Sequence, residues 1–199
     1  MKTRDVLAWL LALLAVGAIV AGAFLTLAAL RPDGGAIQFD ATDVSGVGWG
    51  RDFRLIGDDD QPRELADFRG RIVALYFGYT RCPDVCPTTM AALAQAVRLL
   101  GEEGARVQGL FVTVDPRHDS PAVLAHYVRG FDENFLGLYG DRQAIARAAQ
   151  ELKVEVGHHH STPVFLLDGR GRLRLVVHPD ASAESIAHDV RLLLHEAAG

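Results

Sequence analysis

The chain has 199 residues, of which 49% are hydrophobic and 23% are charged, and its formal net charge at pH 7 is −5. This acidic balance disfavours a surface that binds nucleic acid or anionic lipid, because both of those partners carry negative charge themselves. The two cysteines allow one disulfide in an oxidising compartment without requiring it.

The N-terminal segment combines positive charge with a long apolar run. Lys2 and Arg4 precede residues 6–30, which contain no charged side chain. At 1.5 Å per residue a helix of this length crosses a hydrocarbon core of about 30 Å. A cleaved signal peptide is the alternative, but its apolar region is usually about 7–15 residues long. We therefore expect residues 1–5 in the cytoplasm, residues 6–30 as a single-pass anchor in a bacterial inner membrane, and the remainder in the periplasm.

Residues 31–47 are predicted to be a linker, because they begin with an Arg-Pro-Asp-Gly-Gly-Ala stretch. Residues 48–199 are long enough for one domain with its own core. Removal of residues 1–31 takes away three positive charges and one negative charge, so the remaining chain carries −7.

The hydrophobic pattern of the domain alternates between strand-like and helix-like segments. The combination of a hairpin, successive strand–helix units, a second hairpin and a final helix is the layout of a thioredoxin-like α/β fold with an N-terminal β-hairpin. In chain order we predict a hairpin at 53–65, strands at 72–77 and 107–114, helices ending near 100 and beginning at 121, a short strand at 135–139, a helix after 141, a hairpin formed by 164–167 and 173–177, and a helix from about 182.

Both cysteines, Cys82 and Cys86, lie on the predicted turn between strand 72–77 and the following helix, which has Pro87 in its first turn. The amides and the macrodipole at a helix N-terminus stabilise a thiolate relative to a thiol. Two thiols four residues apart could close a disulfide or bind one soft metal ion. Two buried structural cysteines and a simple redox pair are the alternative interpretations.

The predicted layout brings further ligand types to the edge of the sheet where Cys82 lies. Asp115 follows the parallel strand 107–114, and the triplet His158–His160 precedes strand 164–167, which would run antiparallel. Cysteine sulfur with histidine nitrogen favours copper, zinc or iron, and two thiolates with one imidazole suit Cu(I) or Cu(II). A structural zinc site would require four ligands. The scattered histidines are expected at the surface, namely His118, His126, His178, His188 and His195.

Three segments resemble the Sco/SenC family, whose members are membrane-anchored, thioredoxin-fold copper chaperones for the binuclear copper centre of cytochrome c oxidase. The similarity spans roughly residues 48–195. It rests on residues 78–89 (Gly-Tyr-Thr-Arg-Cys-Pro-Asp-Val-Cys-Pro-Thr-Thr), 114–121 (Val-Asp-Pro-Arg-His-Asp-Ser-Pro) and 131–141. The resemblance implies that Cys82 and Cys86 are copper ligands and that the third ligand, five residues before Phe165, is His160.

The chain departs from the family pattern at three places. His159 stands where an aspartate often precedes the ligand histidine, so a shift of one residue would make His159 the ligand. His118 stands where an arginine is usual. The segment Ser161–Phe165 is similar to the Thr–cis-Pro segment of membrane-anchored thiol-disulfide reductases, which predicts a cis bond between Thr162 and Pro163.

The expected function is that of a copper metallochaperone, which binds one copper ion and delivers it to the oxidase subunit that carries the binuclear site. A membrane-anchored periplasmic thiol-disulfide oxidoreductase is the first alternative, and a copper or redox sensor is the second. Thioredoxin-type catalysts usually have two residues between their cysteines, whereas this chain has three, Pro83–Val85. Other copper chaperones or thioredoxin-like proteins are further expected partners. Only the oxidoreductase alternative would make the protein an enzyme, a question that the sequence leaves open.

Overall fold

The computed structural model describes residues 14–17, 19–23, 38–48, 50, 52–154 and 162–196. The chain divides into two compact units, Met1–Gln38 and Phe39–Gly199. In the first unit, residues 14–17 and 19–23 are helical. No helix within the described residues is both long and apolar enough to cross a membrane. Most of the anchor predicted at residues 6–30 lies outside the described residues, so it stays a prediction.

The second unit is built on one sheet of eight strands, in the order β1-β8-β7-β4-β5-β6-β2-β3. Its parallel centre consists of β4, β5 and β6, and all its other pairings are antiparallel. The strands are β1 (Thr42–Asp43), β2 (Arg54–Gly57), β3 (Pro62–Glu64), β4 (Ile72–Gly78), β5 (Val107–Thr113), β6 (Leu136–Tyr139), β7 (Val164–Leu167) and β8 (Leu173–Val177).

The directions of the central strands agree with the sequence-based prediction. β4 and β5 are parallel, with Gly78 opposite Thr113 at their carboxyl ends. β7 is antiparallel to β4 and places Val164, its first residue, opposite Tyr76. The start of β7 therefore lies at the same edge as the cysteine turn, and both predicted hairpins are present as β2–β3 and β7–β8.

Helices cover both faces of the sheet. The side chains of a strand alternate between the two faces, and every residue of β4 and β5 is buried, so neither face is open to solvent there. Tyr76 belongs to one hydrophobic cluster, whereas Phe77 belongs to the other. The first cluster includes residues of α1 (Val85–Leu99), α2 (Pro121–Arg129) and α4 (Ala183–Glu196); the second includes residues of α3 (Arg142–Glu151) and of the 3₁₀ helix Leu65–Phe68. A second 3₁₀ helix, Gly101–Arg106, precedes β5.

Part of the segment predicted as a linker, residues 31–47, belongs to the folded unit. β1 lies within it and pairs with β8 at the edge of the sheet. The carboxylate of Asp189, which is buried in α4, accepts the backbone N–H groups of Asp40 and Ala41, both at 2.8 Å. A sequence pattern could not reveal this strand, because it has only two residues and both are exposed.

The predicted cis bond between Thr162 and Pro163 is wrong. The described residues contain no cis peptide bond, so this bond is trans. An ordinary X–Pro bond favours the trans form over the cis form by about 0.5–1 kcal/mol. The local similarity to thiol reductases therefore does not extend to this feature of the backbone.

Candidate metal centre

Cys82 and Cys86 lie where β4 passes into α1. β4 ends at Gly78 and α1 begins at Val85, so Cys82 is in the connecting turn and Cys86 is in the first turn of the helix. Both are free thiols, with exposed fractions of 7% and 4%. The turn therefore presents two sulfur donors at the carboxyl edge of the sheet, as the sequence predicted.

The sulfur of Cys82 acts as the N-terminal cap of α1. The residue at the N-cap position, Asp84, makes no side-chain capping hydrogen bond. Instead the backbone N–H of Cys86 donates to Cys82 Sγ over 3.4 Å. An acceptor at this place satisfies one of the free N–H groups of the first turn, and negative charge there is stabilised by the helix macrodipole.

The two thiols differ in acidity for this reason. Burial by itself would raise the pKa of Cys82, but hydrogen bonds from the Cys86 thiol and from the amides of Cys86 and Asp84 outweigh it and lower the pKa below the ordinary value. Burial, together with the hydrogen bond that the thiol gives to Cys82, raises the pKa of Cys86 to about 11. The first thiolate to form is therefore that of Cys82.

We expect this difference to appear as ordered alkylation. At pH 7–8 iodoacetamide should modify Cys82 first, since the thiolate is the reactive form, and its labelling rate should rise with pH through its lowered pKa. Cys86 should react slowly until the pH approaches about 11. Mass spectrometry of the modified peptides at a series of pH values measures both rates.

Two variants of Cys86 serve as controls for this measurement. Cys86→Ser keeps a hydroxyl that can donate to Cys82 Sγ, so the reactivity of Cys82 should change little. Cys86→Ala removes that donor, so the pKa of Cys82 should rise and its labelling at pH 7 should slow. Faster labelling of Cys86 than of Cys82 in the parent chain would contradict the assignment.

The packing beside the two cysteines leaves no room for a side chain at Gly78. A Cβ atom on Gly78 would lie 2.8 Å from the ring of Phe111 and 3.0 Å from both Cys86 Sγ and the ring of Tyr76. Tyr76 also donates its hydroxyl to Cys86 Sγ over 3.5 Å. Burial raises the pKa of Tyr76 well above its usual value, so this hydroxyl stays protonated and remains a donor.

A buried carboxylate connects the cysteine turn to β5. Asp119 is 1% exposed, and it accepts hydrogen bonds from the Thr80 N–H at 3.1 Å and the Thr80 hydroxyl at 2.5 Å. It also accepts the hydroxyl of Thr113, the last residue of β5, at 2.6 Å. The position of Thr80, two residues before Cys82, is therefore determined by a residue of a different loop. We call Thr80, Thr113 and Asp119 the Asp119 network.

A second charged group lies at the exposed rim of the same loop. Asp115 accepts from Arg81 at 3.1 Å and contacts His118 Nδ1 at 2.8 Å. The hydrogen bond with His118 is the main cause of the lowered pKa of Asp115, with Arg81 contributing and burial opposing. His118 is exposed, as predicted for all five scattered histidines, and it pairs with Asp115.

The structure brings together part of the predicted ligand set. Cys82 and Cys86 converge, and their thiolates are the soft donors that copper accepts. His158, His159 and His160 lie outside the described residues, so the third ligand stays a prediction. No sequence pattern assigns a role at this site to Asp119, Thr80 or Tyr76. Asp119 stands inside the motif at 114–121, but only the fold shows that its carboxylate points inward.

Comparison with known proteins gives a consistent result. The family model described as SCO1/SenC matches residues 44–195. The SCO2 homolog of Bos taurus mitochondria is 38% identical over 190 residues, covering 88% of this chain and 71% of that protein. The solution structure of apo Sco1 from Thermus thermophilus is 34% identical with a TM-score of 0.69, covering 79% of this chain and 98% of that one. The copper-bound structure of Bradyrhizobium japonicum ScoI is 27% identical with a TM-score of 0.62, covering 72% and 98%. This chain belongs to the SCO1/SenC family.

Proposed function

We propose that this protein is a copper metallochaperone that binds one copper ion through Cys82, Cys86 and His160 and delivers it to the binuclear copper site of cytochrome c oxidase. The observation that carries the proposal is the pair of thiols at the N-terminus of α1, where the sulfur of Cys82 accepts the Cys86 amide. The lowered pKa of Cys82 favours the thiolate form, which is the form that binds a metal ion. Bound copper would supply a transferable ion, while the chain supplies the soft donors that retain it.

The relatives support the choice of metal and of partner. ScoI of Bradyrhizobium japonicum and Sco1 of yeast have been solved with copper bound. Another solved protein, BsSco, is described as a member of the Sco family of cytochrome c oxidase assembly proteins and as having a disulfide switch. An oxidase subunit is therefore the partner that we propose, with other copper chaperones or thioredoxin-like proteins as additional partners.

The test is the copper stoichiometry of residues 32–199, which contain the whole second compact unit. With both thiols reduced we expect one copper ion per chain. After oxidation of Cys82 and Cys86 to a disulfide we expect tight binding to be lost, because a disulfide offers no thiolate. Equal stoichiometry in both redox states, measured by equilibrium dialysis and metal analysis, would contradict the proposal.

A thiol-disulfide oxidoreductase is the second candidate, and the unequal pKa values of the two thiols favour it. The Cys82 thiolate would attack a disulfide of a partner and form a mixed disulfide, releasing one partner thiolate. Cys86 would then lose its proton and attack Cys82 Sγ, which releases the second partner thiol and leaves a Cys82–Cys86 disulfide. The partner gains two electrons, and this chain loses two.

The two candidates differ in their dependence on metal. A reductase should reduce the disulfide of a metal-free oxidase subunit without copper, whereas a chaperone should transfer copper to a subunit whose cysteines are already reduced. A copper or redox sensor, the third candidate, would bind copper or become oxidised without doing either. Assay of both transfers with one purified oxidase domain separates the three.

We further propose that the chain is anchored in the bacterial inner membrane by residues 6–30, with the copper-binding domain in the periplasm. The uncharged length of that run and the preceding Lys2 and Arg4 support this orientation. Alkaline phosphatase fused after Gly199 should be active, and a cytoplasmic reporter at the same position should be inactive. The reverse pattern of activities would contradict the orientation.

A further inference from the structure

Four arginines lie at the end of the sheet that is opposite the cysteine turn. This end contains the first residues of β4 and β5 and the turn between β7 and β8. A cleft of about 310 Å³ opens here. Its charged lining, which we call the arginine cleft, consists of Arg106, Arg170, Arg172, Arg174, Asp168 and Glu196. Four positive and two negative charges leave a local surplus of +2 on a chain whose net charge is −5.

Two of the four arginines are held in place by the carboxylates. Asp168, which is 5% exposed, accepts the backbone N–H of Arg172 at 3.0 Å and its Nε at 2.8 Å. Arg174 contacts Glu196 at 2.6 Å, and its side chain is 14% exposed. These pairs hold both guanidinium groups in position at the side of the cleft, because each group already has a defined partner.

The other two arginines supply the unbalanced charge. Arg106 and Arg170 are exposed, and neither makes an ion pair within the described parts of the domain. The backbone N–H of Arg170 donates to Asp168 at 2.9 Å, which fixes the turn that carries this side chain. Like charges around one cleft repel, and an anion between them would remove that repulsion.

Two glycines leave part of the cleft lining without side chains. Gly70 and Gly169 both line the cleft, and the N–H of Gly70 donates to the carbonyl of Gly169 at 2.8 Å. Gly70 has φ +87°, a conformation that side-chain-bearing residues rarely adopt. A ligand can therefore approach the backbone closely between the arginines.

We propose that the arginine cleft binds a phosphate-class oxyanion. Guanidinium groups match the geometry of phosphate oxygens and form charge-assisted, often bidentate hydrogen bonds with them. The local surplus of +2 balances the charge of about −1.5 to −2 that a phosphate monoester carries at pH 7. A cleft of this volume holds about ten waters at ~30 Å³ each, so it accommodates such a group with its hydration. The proposal is independent of the copper function, because the cysteines lie at the opposite end of β4.

The test is calorimetric titration of the full chain in non-ionic detergent with inorganic phosphate, at constant ionic strength set with sodium chloride. We expect saturable one-site binding to the parent chain. Arg106→Gln/Arg170→Gln should weaken it about ten-fold or more, since it removes charge-assisted hydrogen bonds from the ligand. The control Arg142→Gln/Arg147→Gln makes the same change in net charge on exposed positions of α3 and should bind phosphate like the parent. Far-ultraviolet circular dichroism checks that both variants are folded.

The proposal would be overturned if the parent chain showed no saturable phosphate binding. It would also be overturned if both double variants weakened phosphate binding equally, because binding would then depend only on net charge. A parallel titration with a soluble short-chain phosphatidylglycerol identifies the source of the oxyanion. Tighter binding of this lipid than of phosphate, sensitive to Arg106→Gln/Arg170→Gln, supports a lipid headgroup as the ligand. Binding of phosphate alone supports a free phosphate.

Discussion

Copper binding is expected to be abolished in the double variant Cys82→Ser/Cys86→Ser. The substitution exchanges two soft sulfur donors for weakly acidic hydroxyls that do not ionise near neutral pH, and one imidazole alone does not hold copper tightly. The helix should still form, because the serine hydroxyl at position 82 can accept the N–H of residue 86 as Cys82 Sγ does. Metal analysis after dialysis against a competing chelator measures the loss, and circular dichroism verifies the fold.

The single variants make this prediction more specific. Cys82→Ser and Cys86→Ser should each reduce affinity severely, because each leaves one thiolate. Retention of one tightly bound copper ion by the double variant would show that the metal lies elsewhere in the chain.

The histidine ligand is identified by a parallel series. His160→Ala should weaken copper binding and alter the Cu(II) absorption spectrum, whereas His158→Ala and His126→Ala should have little effect. If His159→Ala changes the spectrum and His160→Ala does not, the alignment with the family is shifted by one residue.

The second large effect is expected at a residue that does not touch the metal. Asp119→Ala should lower the free energy of unfolding by about 3 kcal/mol or more, because it leaves the Thr80 N–H and two hydroxyls without their buried acceptor. It should also weaken copper binding about 10–100-fold, the range found for partners that orient metal ligands. Urea unfolding and copper titration of residues 32–199 measure the two quantities.

Two further variants separate positioning from simple destabilisation. Asp119→Asn keeps one acceptor oxygen, so its losses should be smaller than those of Asp119→Ala. Glu133→Gln removes an exposed carboxylate and should change neither quantity. Asp119→Ala with full copper affinity and an unchanged Cu(II) spectrum would show that the Asp119 network supports the fold without orienting Cys82.

Much of the central fold is predictable because its segments are long and strongly patterned. β4 is an uninterrupted apolar run, and β5 contains only two polar residues, Gln108 and Thr113. Ser120 and Asp141 cap α2 and α3 with their own side chains. β1 was missed, since two exposed residues in a sheet edge leave no hydrophobic pattern. Thr162–Pro163 was mispredicted because a short local similarity does not determine the isomer of a peptide bond.

The sequence by itself determined that two thiols stand at the N-terminus of a helix, since the strand, the turn prolines and the helical stripe are all local signals. The parallel direction of β4 and β5 brings Cys82 and Asp115 to one edge, and the start of β7 lies at that edge because β7 is antiparallel to β4, a direction that the structure shows. Only the tertiary structure decided which thiol is the more acidic, because that depends on burial and on the hydrogen bonds that each sulfur makes. The same holds for Asp119, whose partners Thr80 and Thr113 lie on separate segments. It holds as well for the arginine cleft, because net charge is a sum over the chain, whereas binding depends on where the fold brings like charges together.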